Sequence, residues 1–348
     1  MVQTSSSVSR TFVYVSAAVA GTIDAYRMDG ATGTLTPISG VDVGPMVMPM
    51  TVSPDRRHLY AVIREQPYRV LTLAIDPESG RLRQEAVAAL PDSMAYISLD
   101  PTGGLLFAAS YGGSKIAVLL IGKNGLVTAQ AQQVIATGRN AHSIVSDRTG
   151  KYVFATNLGS DAVQQFTLDP ETGILKPNDP MQVETGAGFG PRHIVISPDN
   201  KAVYVLTELT GHVIHYALDN DKGTLSEIES VASVPESADG SKPKVWAADI
   251  GITPNGKFLY TTERTTSRIA LFRVEAGSGR LTYVTNYSTE QQPRGIRIDP
   301  SGRFLVASGE KSDRLSVYAI DQADGGLGLV GRYPVNAGAN WLEIVTFP

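Results

Sequence analysis

The side chains able to do chemistry at neutral pH fall at equivalent places of a repeat. With five histidines and no cysteine in 348 residues, imidazoles, carboxylates and guanidiniums are the groups available for proton transfer and charge stabilisation. His142, Arg192 and Arg294 each stand six residues before the Pro position of a small-residue turn of the type Ser53-Pro54-Asp55, and Tyr96, His193 and Asp249 stand one residue later. Arg64, Glu208 and Arg264 stand four residues beyond a recurring aromatic. An imidazole of ordinary pKa exchanges protons near neutrality, and planar guanidinium forks grip carboxylate, phosphate or a developing oxyanion. The chemistry in view is proton transfer on an acidic small molecule.

These residues ride on a unit that recurs seven times. The turn is followed by a basic or polar pair and a short apolar run closing on Tyr14, Tyr60, Phe107, Phe154, Tyr204, Tyr260 or Val306. Successive gaps of 46, 47, 47, 50, 56 and 46 residues match four-stranded propeller blades. A second turn type, as in Asp76-Pro77-Glu78-Ser79-Gly80 and Asp169-Pro170-Glu171-Thr172-Gly173, supplies the φ values of a tight hairpin. Between turns run short alternating stretches rich in Val, Ile, Leu, Thr and aromatics, such as Arg69-Val70-Leu71-Thr72-Leu73-Ala74-Ile75, and no long segment holds a helical period. The expected fold is all-β, a seven-bladed propeller of four-stranded antiparallel blades. Trp341 to Pro348 reads as an inner strand and residues 11–16 as a second strand, so the two chain ends complete one blade. Residues 1–10 read as a disordered polar N-terminus and 11–348 as a single propeller domain.

Antiparallel geometry puts the starts of inner strands and the ends of second strands on one rim, with the turns on the other. That rim gathers His142, Arg192, His193, Glu208, Asp249, Arg264 and Arg294, mostly from blades four to seven, while the position four before the Pro slot is Ile or Met throughout. Copies of one template have no structural need for different charges at equivalent places, so the asymmetry marks a ligand site. Clustered arginines must be neutralised, either permanently by Glu208, Asp249 and Glu263 or by an anionic guest. Strand alternation turns Arg192 and His193 to opposite sides, which makes His193 the weaker channel residue. Segment 235–244 enlarges the loop between blades five and six and falls on the same rim, as a wall of the site or as a tolerated insertion.

A formal charge of −4 leaves no broad footprint for nucleic acid or anionic membrane. The polar N-terminus carries no signal peptide or span, and a cytoplasmic monomer or weak homodimer is expected. Neither a nucleophile elbow, nor a Gly-rich phosphate loop, nor a metal-binding spacing is present, so no cofactor and no metal are expected.

At Gly190-Pro191-Arg192-His193, Thr207-Glu208-Leu209, Trp246-Ala247-Ala248-Asp249-Ile250, Arg264-Thr265 and Gln292-Pro293-Arg294-Gly295 the chain resembles the propeller-type 6-phosphogluconolactonases. These share a family with the fungal enzyme that cycloisomerises carboxymuconate. The resemblance spans essentially the whole chain and implies a lactone-handling enzyme. It also implies that the cycloisomerase branch's His, Arg, Glu and second Arg correspond to His142, Arg192, Glu208 and Arg264. Thr207 and Glu263 depart from the Asn and Asp of lactonase members. The expected reaction is hydrolysis of 6-phosphoglucono-1,5-lactone, with His142 or Glu208 as base, Arg192 and Arg264 on the oxyanion or acid group, and Arg294 with Lys311 on the distal phosphate. His193, Asp249, Arg64 and Tyr96 complete the substrate-binding set. A lactone isomerase or cycloisomerase is the alternative, and a non-enzymatic binding propeller a further one, although the Trp-Asp repeats of such propellers are absent.

Overall fold

A computed structural model of the protein describes residues 9–234 and 244–348. Within them the chain forms strands β1 (Arg10–Ala17) to β28 (Ala339–Phe347) and a single 3-10 turn at Leu158–Ser160. The strands make seven four-stranded antiparallel sheets. The inner strands are β28, β4 (Val47–Val52), β8 (Met94–Leu99), β12 (Ala141–Ser146), β16 (Pro191–Ile196), β20 (Ala247–Ile252) and β24 (Pro293–Ile298). The second strands are β1, β5 (His58–Ile63), β9 (Leu105–Ser110), β13 (Tyr152–Asn157), β17 (Ala202–Thr207), β21 (Phe258–Glu263) and β25 (Phe304–Gly309). The first blade joins both chain ends, with β1 pairing β28 from Arg10 opposite Phe347 to Ser16 opposite Trp341. Arg10, the last residue of the polar N-terminal segment, already belongs to β1, and residues 1–8 lie outside the described residues.

Burial explains why the second strands are so apolar. Each of β5, β9, β13, β17, β21 and β25 is buried along all six residues, because both faces of a blade meet a neighbour there. The apolar side chains accordingly form seven clusters, one at each blade interface, including one between the last blade and the first. Closure of the ring removes the exposed faces that an open stack would leave at its ends.

The recurring aromatic has a second task. The hydroxyls of Tyr14, Tyr60, Tyr204 and Tyr260 donate to the carbonyls of Gly80, Gly125, Gly279 and Gly325 at 2.7–2.8 Å, clamping each of these four blades to the next blade's outer hairpin. The hairpin glycine is required there: Gly80 has φ +70°, and a Cβ on it would sit 2.3 Å from the Phe12 ring. These clamps leave the opposite rim free for the site.

Candidate functional site

The inner strands enter the channel through a bulge. Pairing slips between Ala141 and Ser143, between Pro191 and His193, and between Pro293 and Gly295, so His142, Arg192 and Arg294 are extra residues with no partner on the second strand. Two residues earlier the backbone is left-handed, at Asn140 (φ 57°), Gly190 (φ 66°) and Gln292 (φ 56°). Bulges re-aim side chains and break alternation. Arg192 and His193 therefore do not point to opposite sides. Both are buried, and Arg192 Nη1 lies 3.0 Å from His193 Nε2, which corrects the expectation from strand period.

Arg192 is only 1% exposed and is held on three sides. Its Nε donates to Glu208 Oε2 at 2.8 Å, and Nη1 donates to the Ala248 carbonyl as well as facing His193. Its Nη2 makes no hydrogen bond to the described residues. Glu208 Oε2 also meets Arg264 Nη2 at 2.9 Å, and its Oε1 accepts from Trp246 Nε1 at 3.2 Å. Arg264 stacks 3.8 Å over the Trp246 ring and donates to the carbonyls of Trp246 and Ala247. One carboxylate thus fixes two guanidiniums. Burial acts to raise the Glu208 pKa, but the charges of Arg192 and Arg264 outweigh it and hold the group below its ordinary value.

His142, 5% exposed, packs edge-on against Tyr111 and His193 with ring centroids 5.7 and 5.2 Å away. Its Nδ1 is buried without a hydrogen-bond partner. Burial, and then the charges of Arg192, Arg294 and Arg264, push its pKa well below 6.5. His142 thus lies within electrostatic reach of arginines from three other blades. His142 is a neutral imidazole at pH 7.

Deeper in the channel, Asp249 Oδ1 lies 2.8 Å from His193 Nδ1. The carboxylate also accepts the backbone N–H groups of Ile250 and Ile296, each at 2.9 Å. It is thus a pure acceptor, so His193 donates from Nδ1 and offers its Nε2 lone pair to the Arg192 N–H. Asp249 consequently pairs with His193 and not with an arginine. Glu263 is also unavailable to Arg264, since it accepts from the backbone of Trp246, Thr265 and Thr266. Of the three acids expected to neutralise the arginines, only Glu208 does so. Tyr96 packs on His193 and Trp341, with centroids 5.1 and 5.3 Å away.

Arg294 pairs through Nη1 with Glu310 at 2.8 Å, and Arg64 sits close enough for the two charges to repel. Lys311 is exposed on the turn after β25, and its side chain makes no hydrogen bond or ion pair among the described residues. Sequence reading missed the Arg297–Glu343 ion pair, with Trp341 Nε1 3.2 Å from Glu343, within the channel. The signal was there: the residue three before the Pro slot is Thr51, Ser98, Val145, Val195 or Gly251 in other blades and Arg297 in the seventh. Arg297 also lines a cavity of about 520 Å³, toward the opposite rim, whose walls include Ile and Val of the inner strands and the polar Ser146, Asp147 and Arg148. Among the described residues no three His, Asp or Glu side chains are grouped to hold a metal ion. Segment 235–243, the bulk of the enlarged loop, lies outside the described residues.

Residues 12–344 match the family model described as lactonase, 7-bladed beta-propeller. The chain belongs to this lactonase family. Family relatives include a 6-phosphogluconolactonase of Pectobacterium carotovorum, 38% identical over 96% of this chain and 98% of the relative. Another, from Photorhabdus laumondii, is 39% identical over 90% of this chain and 92% of the relative. Among solved structures, the periplasmic gluconolactonase of Pseudomonas aeruginosa is 29% identical, with a TM-score of 0.88 over 97% of this chain and 99% of that one. No helix among the described residues is long and apolar enough to cross a membrane.

Proposed function

We propose that the protein hydrolyses 6-phosphoglucono-1,5-lactone to 6-phosphogluconate. The observation that carries this reading is the pairing of two guanidiniums, locked by the Glu208 carboxylate, with a neutral imidazole within their electrostatic reach. The names of the relatives, which this lactonase-family chain matches almost end to end, supply the substrate.

In the proposed reaction His142 Nε2 takes a proton from water as its oxygen bonds to lactone C1. Charge then develops on the carbonyl oxygen, where the free N–H groups of Arg192 and Arg264 stabilise it. The C1 to ring-oxygen bond breaks, and the imidazolium returns its proton to the departing ring oxygen. The surrounding arginines make that imidazolium a strong acid, which speeds the second transfer. Weak basicity suffices for the first, because the ring-strained ester carbonyl is already electrophilic. Glu208, with its oxygens committed to Arg192, Arg264 and Trp246, is assigned as the clamp and not the base.

A phosphorylated sugar acid is confined to the compartment that makes it, so we place the reaction in the cytoplasm. The test is proton release on adding freshly generated 6-phosphoglucono-1,5-lactone or glucono-1,5-lactone to wild type and to His142→Asn. Acid production well above the spontaneous rate, lost in the variant, is expected. A wild-type rate equal to background with both lactones overturns the reading.

A further inference from the structure

Arg64 is a guanidinium that no carboxylate of the described residues pairs with. It directly follows β5, its Nε donates to Ser93 Oγ at 3.1 Å and its Nη1 lies 3.4 Å from Met48 Sδ. Met48 is the residue of its blade equivalent to Arg294 in the seventh, so this contact sets the guanidinium over the channel mouth. No Asp or Glu pairs with it among the described residues, and the charged group whose field acts on it most is Arg294, a like charge. Burial and that neighbour push Arg64 down to about 10, still a cation at pH 7. Arg294 gives only Nη1 to Glu310.

The first blade lies between the blades of Arg64 and Arg294. At the equivalent positions it presents Ala18 and the bulged Asn340, neither of them charged. Two like charges facing each other across an uncharged step, with Glu310 offsetting only one of them, are unfavourable unless a ligand's negative charge offsets the other. A phosphate monoester suits the place better than a carboxylate, because its three terminal oxygens can accept from both guanidiniums at once.

We propose that Arg64 and Arg294 form the subsite for a phosphate monoester, on the side of the mouth formed by blades seven, one and two. The lactone carbonyl then lies toward His142, Arg192 and Arg264 on blades four to six. This inference rests on the lactonase reading above and names its specificity determinant. It replaces Lys311, expected from sequence as the partner of Arg294, with Arg64.

Two measurements test it together. The first compares kcat/KM for 6-phosphoglucono-1,5-lactone and glucono-1,5-lactone in wild type, Arg64→Gln and Arg64→Lys. Arg64→Gln is expected to cut the preference for the phosphorylated lactone by about 10- to 100-fold, chiefly through KM, the loss of one charge-assisted contact. Arg64→Lys, which keeps the charge, recovers part of it. The second is calorimetric binding of 6-phosphogluconate and gluconate to the same proteins, which does not depend on turnover. Wild type is expected to bind the phosphorylated acid at least about tenfold more tightly, a margin that disappears in Arg64→Gln. Equal losses on both lactones, or equal binding of both acids by wild type, overturn the subsite. Binding of 6-phosphogluconate through Arg64 without any hydrolysis keeps the subsite and overturns the hydrolase reading.

Discussion

Glu208→Gln separates the two roles that a carboxylate could play at this mouth. The substitution keeps the side chain's shape and removes the charge shared by Arg192 and Arg264. An amide oriented with its oxygen toward the guanidiniums, which now stand 2.8 and 2.9 Å away, turns its NH2 group on the Trp246 N–H at 3.2 Å. Flipped, it sets a donor against two donors. Removing one partner of a buried ion pair costs about 3–5 kcal/mol, and the 14% exposure of Glu208 places this case near the lower end. Misplacing one oxyanion donor lowers kcat by about 10²- to 10³-fold. The expected result is a variant destabilised by about 3 kcal/mol in urea unfolding, with kcat/KM down about 100-fold. The decisive readout is the pH–rate profile by pH-stat. If His142 is the base, the acidic limb, set well below pH 6.5, survives in the variant at the same place. Loss of that limb in Glu208→Gln, or full activity in it, refutes the clamp assignment.

Other expectations follow from the same geometry. His193, pushed down to about 4 by burial and the Arg192 charge against the opposing pull of Asp249, stays neutral in the fold where the unfolded chain protonates near 6.5. Its contribution to stability is therefore complete above pH 6.5 and is lost as pH falls toward 4, at up to about 1.4 kcal/mol per unit. His193→Gln should flatten the dependence of unfolding free energy on pH in that window, and an unchanged slope contradicts the linkage. Tyr14→Phe removes a buried hydroxyl-to-carbonyl bond 2.8 Å long and is expected to cost about 1 kcal/mol with lactonase activity intact, since the clamp lies on the rim away from the site. Gly80→Ala, at φ +70° and against the Phe12 ring, should cost more than Tyr14→Phe in the same unfolding assay; an equal or smaller cost contradicts the packing argument.

The ring and the membership of the rim were legible because both follow from register. A period near fifty residues with two turn types fixes four strands per blade, and antiparallel order then decides which residues share a rim. That reasoning placed His142, Arg192, Glu208 and Arg264 in one neighbourhood, and their electrostatic coupling in the fold agrees with it. What it could not supply was the local geometry of the strand entrances. A bulge adds one residue to one strand, so period-two alternation fails at Arg192 and His193, the place where the chemistry sits. Partner choice was equally hidden. Glu263 ends β21, directly before Glu208's partner Arg264, but spends its oxygens on backbone N–H groups of its own turn, a distinction of a single residue that spacing does not carry. Arg297 was missed because the reading stopped at the channel mouth, although its slot is otherwise small or apolar.

The central claim is that water adds to the lactone carbonyl and opens the ring. The most direct measurement is mass spectrometry of the product formed from 6-phosphoglucono-1,5-lactone in ¹⁸O-labelled water, at enzyme concentrations where catalysis far outruns spontaneous opening. One label per turnover, located in the new carboxylate, is the result predicted. A product of the substrate's own mass, formed at the enzymatic rate without label, contradicts hydrolysis and identifies the site as one that moves a lactone linkage without consuming water.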